Sequence, residues 1–278
     1  MVQIITDSST LYTPKEAKQR GFEVSPLCVS IADLEDRDLL VDMDVFYGKI
    51  AEGNHPKSSQ PPIGEVLDLY EKYKEDEIIN ITMADGLSGT YQSACGAVEM
   101  VDHKENITVI NTKTLCGPHR YIVDKAQQMK EEGRSAQEII AWLRHAADSH
   151  ESFLMPQDFD FLRRGGRLTP LAATFGSILK LKPVMTQTPD GRRLDKFTVK
   201  RTLKAAVAAI IEHWQKTVQP DERHIIYVSH ARTLNDANKV MTQLKEAFPK
   251  ADFELLDLGA AFVTQGGPQC IAVQYIKK

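Results

Sequence analysis

Short apolar runs and helix-spaced segments alternate along the first half of the chain. VQIIT at 2–6, PLCVSI at 26–31, EIINITM at 77–83 and the run at 107–110 carry the length and branching of strands. Between them, Val45, Phe46 and Ile50 predict a helix over 42–52, and Val66, Leu67 and Tyr70 predict one over 63–74. Helices are also expected after Pro14, over 88–101 and over 118–132. Ser135-Ala136-Gln137-Glu138 reads as a capping box opening a helix that runs to about His150. A strand-then-helix rhythm of this kind predicts an α/β fold: a mostly parallel sheet with helices on its faces.

The rhythm changes near 151. ESFLMP reads as a strand or linker, and QDFDFLRRGGRL as a short helix ending at its paired glycines. Thr169-Pro170 opens a helix expected to run through Lys180. KPVMTQ and RRLDKFTV, joined by Pro189-Asp190-Gly191, predict a hairpin. Helices over 202–217 and 234–247 and strands over 224–229, 252–258 and 269–276 complete an α+β pattern. Two domains are therefore expected, 1–152 and 153–278, which suits a chain of 278 residues.

Composition narrows the chemistry. The hydrophobic fraction of 42% and charged fraction of 26% are those of a globular protein. The formal net charge of −4 offers no global basic field to draw nucleic acid or anionic lipid. Cys28, Cys95, Cys116 and Cys270 form no CxxC pair and are expected to be reduced. The opening MVQIITDSST has no signal-peptide pattern and no apolar run reaches membrane-spanning length, so a cytoplasmic protein is expected.

The stretch ADGLSGTYQSA at 84–94 poses the functional question, because an apolar run enters a glycine-flanked serine and a helical segment leaves it. A hydrolase elbow has the spacing G-x-S-x-G, whereas here the second glycine comes one place early. Ser88 as an acyl-enzyme nucleophile, in a hydrolase or acyltransferase, remains the rival reading. GLSGT matches neither phosphate-loop pattern, so nucleotide binding is not indicated. A helix start still favours an anion nearby, and Ser88 could equally do no more than cap that helix.

A second polar stretch, PKSSQPPIGEV at 56–66, reads alone as a loop with a helix cap. Together with GLSGTYQSA it resembles the paired signature of the DegV family of bacterial lipid-binding proteins. TDSST at 6–10, LRRGGRL at 162–168, GSILKLKP at 176–183 and VTQGGPQCIAV at 263–273 look like the family's pattern in the same order. The resemblance implies two domains that grip one long-chain fatty acid between them, a chain of the hexadecanoate type bound for phospholipid metabolism. It implies a lipid-binding protein rather than an enzyme, with no cofactor beyond its ligand and only transient membrane exchange. The first domain would supply carboxylate-binding loops and the second would cover the acyl chain.

Residue by residue, the resemblance assigns the carboxylate to Ser58, where threonine is usual, and to Ser88. Ser59, Thr90 and Gln265 would be secondary ligands, with Arg163 and Gly165 more marginal. Gln265-Gly266-Gly267-Pro268-Gln269 departs from the family's common H-T-G-P-G, so the group at 265 cannot carry charge. The family can also present its bound acid to the catalytic subunit of a fatty acid kinase. Arg163, Arg164, Arg167, Lys200 and Arg201 would then form a docking surface, although solvated surface is the plainer reading of such clusters.

The physics agrees. A carboxylate leaving water needs charge-assisted donors, while about fifteen buried methylenes contribute roughly 12 kcal/mol before ordering costs. Leu171, Ala172, Ala173, Phe175, Ile178 and Leu179 spread around their expected helix, as buried core or a tail-lining wall would require.

Overall fold

In the computed structural model, which describes residues 1–174 and 181–278, contacts divide the chain into two units, Met1–Asp148 and Ser149–Lys278. The first unit opens with β1 (Val2–Asp7), α1 (Pro14–Gln19), β2 (Glu23–Ser25), β3 (Cys28–Ile31) and β4 (Leu34–Arg37). There follow α2 (Met43–Ala51), β5 (Lys57–Ser59), α3 (Ile63–Lys72) and β6 (Glu77–Thr82). It closes with α4 (Thr90–Val98), β7 (Ile107–Asn111), α5 (Cys116–Glu131) and α6 (Ala136–Ala146). The capping boxes at Thr13–Glu16 and Ser135–Glu138 are both formed, and α6 stops at Ala146 rather than near His150.

β1 and β6 are apolar on both faces because helices cover both, and Ile4, Ile5, Ile78, Ile79 and Ile81 are buried. The sheet order is β2-β1-β6-β7 with every pair parallel. The chain thus builds outward from β1 on one side and then returns to build on the other. Between β1 and β6 the connections diverge, leaving the kind of crevice at the carboxyl ends of strands where α/β folds bind ligands. A separate antiparallel sheet, β4-β3-β5, holds the expected strand at 26–31 and two short strands the pattern did not reveal.

The crevice floor is a buried polar lattice. Asp7 accepts from the Ser9 and Met83 amides at 2.9 and 2.8 Å, tying the loop after β1 to the loop after β6. Ser9 Oγ lies 2.5 Å from His119 Nδ1, and His119 Nε2 lies 3.2 Å from Thr6 Oγ1. Thr6 donates its own proton to the Ile81 carbonyl at 2.7 Å. It can therefore only accept from Nε2–H, which makes Nδ1 the acceptor for Ser9: a neutral imidazole satisfies both bonds.

The second unit runs β8 (His150–Met155), α7 (Phe159–Gly165), α8 (Pro170–Ala173), β9 (Lys182–Gln187), β10 (Leu194–Lys200) and α9 (Leu203–Thr217). It continues with β11 (His224–His230), α10 (Leu234–Ala247), β12 (Asp252–Asp257), α11 (Ala260–Gly266) and β13 (Ile271–Lys277). Its sheet has the order β10-β9-β8-β13-β11-β12, antiparallel except for β11 with β12. Trp214, Phe153, Val207, Ile210 and Ile226 lie at the centre of its core. The Trp214 indole, fully buried, donates to Glu151 at 2.8 Å.

Two expectations change here. ESFLMP is not a linker: β8 pairs with β13 from His150 to Met155, so position 152 lies inside a strand and the division falls before it. Of the helix expected from Thr169 to Lys180, the described part is α8 alone, and Leu171 is 71% exposed rather than buried. Phe175, Ile178, Leu179 and most of GSILKLKP lie outside the described residues.

Full burial pushes the His119 pKa below its ordinary 6.5, against the smaller opposing pull of Asp7 and the Ile81 carbonyl. Below pH 6.5 the unfolded chain therefore takes up a proton that the native protein refuses, and stability falls as pH drops through that region. Urea unfolding at stepped pH should show this loss, up to about 1.4 kcal/mol per pH unit. The His119→Gln variant should lack that component, and equal slopes in both proteins would contradict it.

Candidate functional site

β6 delivers the chain into a turn that several backbone bonds hold fixed. The Ala84 amide donates to the Thr114 carbonyl at 2.9 Å, and the Asp85 amide donates to Asn111 Oδ1 at 3.1 Å. Gly86, at φ +88°, makes the left-handed bend, a conformation that needs glycine. The Ser88 amide then closes back on the Ala84 carbonyl at 3.3 Å.

Helix α4 begins two residues later than expected, at Thr90, with Gly89 at its cap and no side chain capping it. Ser88 lies one residue before the cap position and still takes the first amide of the helix. Its hydroxyl lies 2.7 Å from that of Thr90 and accepts from the Thr90 amide at 3.3 Å. Ser88 is half-buried and Thr90 buried. A hydroxyl pair thus sits at a helix start whose first amides have no intrahelical acceptor. GLSGTYQSA itself contains no cation, so the donors there are neutral hydroxyls and backbone amides.

The second signature is a strand rather than a capping loop. Ser58 and Ser59 belong to β5, facing Val29 and Cys28 across the ladder. Ser58 is half-buried, while Ser59 and Gln60 are exposed. Pro62 precedes α3 without a side-chain cap. What joins the two signatures is Gln60: its side chain lies so close over Gly89 that a Cβ there would be 2.2 Å from Gln60 Oε1. The SSQ and LSG segments meet at the start of α4. No motif announces this contact, and the spacing of residues along the chain does not reveal it.

Gln265 and the basic candidates belong to the second unit. Gln265 sits in α11, a helix of seven residues that is too short to show a period and was not anticipated. Its amide oxygen lies over Gly165, the last residue of α7, where a Cβ would come within 2.0 Å of it. The glutamine thus fills the junction of α7 and α11. Arg163 and Arg164 pair with Asp160 at 2.9 and 4.0 Å, and Arg167 donates to the Gly165 carbonyl. Lys200 ends β10 beside Lys182, and Arg201 follows it, exposed.

The geometry gives the nucleophile reading no support. The Ser88 hydroxyl is engaged with Thr90, and Ser9, which meets His119, is fully buried with it. All four cysteines are reduced thiols, and burial pushes that of Cys270 up to about 12. Among the described residues no helix is long and apolar enough to cross a membrane.

Comparison with known proteins adds identity to this geometry. Residues 1–278 match a family model described as "Uncharacterised protein, DegV family". A DegV domain-containing protein of Listeria monocytogenes is 31% identical over 281 residues, covering 99% of this chain and 98% of its own. The crystal structure of DegV from Bacillus subtilis, described as a fatty acid binding protein, superposes with a TM-score of 0.85. It is 30% identical and covers 100% of this chain and 99% of its own. A DegV family protein from Thermus thermophilus, described for its fatty acid binding, shares the fold at a TM-score of 0.89 and 24% identity, covering 100% and 99%.

The α7–α11 junction yields a ranked expectation. Gly267, at φ +76° and ψ 169°, occupies a conformation almost reserved for glycine, and a Cβ there would meet the Phe161 ring at 3.1 Å. Gly267→Ala should lower stability by about 1–3 kcal/mol. Gly165→Ala displaces only the tip of Gln265 and should stay within about 0.5 kcal/mol of the parent. Chemical denaturation compares them directly, and a reversed order would contradict this account of the junction.

Proposed function

The chain belongs to the DegV family, and we propose that it binds a long-chain fatty acid through Ser58, Ser88 and the start of α4, and presents the acid's carboxylate for reaction. The observation that carries this reading is the meeting of the two hydroxyl-bearing segments where Gln60 lies over Gly89. The fatty acid binding described for the Bacillus subtilis neighbour supports it.

The chemistry of such a site follows from its donors. A carboxylate accepts hydrogen bonds and offers none, so hydroxyls and the amides of a helix start match it without a buried cation. Thr90 would serve by holding the Ser88 hydroxyl, and Ser59, exposed next to Ser58, would be a secondary ligand. Affinity comes chiefly from the tail, because each buried methylene contributes about 0.8 kcal/mol. The head group fixes register and keeps the reacting oxygen where a partner can reach it.

That partner is the catalytic subunit of a fatty acid kinase, which would transfer a phosphoryl group to the carboxylate. Arg163, Arg164, Arg167, Lys200 and Arg201 would receive the partner or the acyl phosphate. Gln265, an uncharged amide, supports its loop and contributes no proton to the transfer.

Native mass spectrometry of protein stripped and reloaded with hexadecanoate should show a one-to-one complex that survives buffer exchange. Ser58→Ala and Ser88→Ala should each weaken binding by about 1–3 kcal/mol and slow phosphorylation by an added kinase, with unfolding midpoints preserved. A protein that takes up no fatty acid would overturn the reading, as would full loading and presentation by Ser88→Ala.

A further inference from the structure

TDSST at 6–10 stands out in the amino-acid sequence, yet the proposed head-group site takes no ligand from it. Thr6 to Thr10 are all polar and all buried, an arrangement that is unfavourable unless such groups find hydrogen-bond partners. Asp7 divides its carboxylate between two amides, Oδ1 accepting from Ser9 at 2.9 Å and Oδ2 from Met83 at 2.8 Å. Met83 leads directly into the loop that carries Ser88.

Ser8 faces the other sheet. Its hydroxyl accepts from the Leu27 amide at 3.1 Å and donates to Asp38 Oδ2 at 2.8 Å. Leu27 and Asp38 are themselves joined, the Asp38 amide donating to the Leu27 carbonyl at 2.7 Å, one step beyond the Cys28–Arg37 pair of β3 and β4. One fully buried hydroxyl therefore bonds both residues of the closing rung of the small sheet. The edge strand of that sheet, β5, carries Ser58 opposite Val29. Apolar packing orients this sheet only weakly, since β3 buries Val29 and Ile31 while β4 and β5 bury no residue. The turn bearing Ser8 is itself fixed: the Leu11 amide donates to the Ser8 carbonyl at 2.9 Å, and Ser9 Oγ meets His119 Nδ1.

We infer that Ser8 is a positioning residue of the head-group site: by bonding the Leu27–Asp38 rung it holds the sheet that carries Ser58, beside an Asp7 that holds the Ser88 loop. Two adjacent residues of one turn thereby fix where the two hydroxyls stand. The inference rests on the reading of the site proposed above. Ser8 need not touch the ligand, because it acts through Ser58.

The test uses the full chain and two ligands with the same tail, hexadecanoate and hexadecanol. Ser8→Ala should weaken hexadecanoate binding on the order of tenfold and hexadecanol binding by less than about twofold. A general loss of stability would lower both alike. In a Ser58→Ala background, Ser8→Ala should weaken hexadecanoate binding by less than about twofold further, because the hydroxyl it places is gone. Asp38→Asn keeps the packing and leaves Ser8 a neutral acceptor, so it should show the same acid-selective loss in smaller measure. That variant keeps the test decisive should Ser8→Ala not fold. Equal losses for acid and alcohol, or Ser8→Ala and Ser58→Ala effects that simply add, would overturn the inference. If the parent takes up no fatty acid, the binding proposal fails by itself, and amide hydrogen exchange over residues 27–31 and 57–59 decides the role of Ser8. Ser8→Ala should speed that exchange on the order of tenfold, and unchanged exchange would overturn the placement of this sheet by Ser8.

Discussion

A carboxylate can leave water only where hydrogen-bond donors already stand in place, since an unpaired buried charge is prohibitively unfavourable. The proposed head-group site meets that constraint without a buried cation. Its donors are side-chain hydroxyls and the start of α4, and they must be held in place because a neutral donor attracts only at short range. Buried bonds in the first unit hold the surrounding loops. Asp7 ties the loop after β1 to the loop after β6 through two amides. The Thr6–His119–Ser9 bonds brace the same sheet end, and the Gln60 side chain lies against Gly89 where the two segments meet.

The division of labour explains the residue types. Asp7, Ser8, Ser9 and Thr10 are buried polar groups joined by local bonds, and they build the floor. Ser88 is half-buried, and its hydroxyl lies 2.7 Å from that of Thr90. In the second unit the same device recurs with Gln265 over Gly165, a side-chain amide seated on a glycine where two helices meet. There the amide fills the junction of α7 and α11.

The long apolar elements are legible in the amino-acid sequence alone. β1, β6 and β7 announce themselves because burial on both faces demands branched apolar runs, and α6 announces itself through its capping box. Short polar elements do not. Leu34–Arg37 and Lys57–Ser59 lie in a three-stranded sheet and carry too few apolar residues to alternate, so Ser58 reads as loop. Ser88 stands out as a site residue but also reads as a possible cap, because a helix start two residues later leaves no trace in a segment of small residues. Gln60 sits within the SSQ motif without any mark that its side chain lies over Gly89. That contact spans twenty-nine positions (60 to 89), which local spacing cannot carry.

The most direct test observes the carboxylate itself. Hexadecanoate labelled with carbon-13 at its carboxyl carbon should give one bound resonance when mixed with the protein. Donors that favour the ionised form should hold the titration midpoint of that resonance below the ordinary carboxylic range of about 4 to 5, and the Ser88→Ala variant should shift it. A bound resonance that titrates like the free acid and ignores the loss of Ser88 would contradict the account, as would no bound resonance at all.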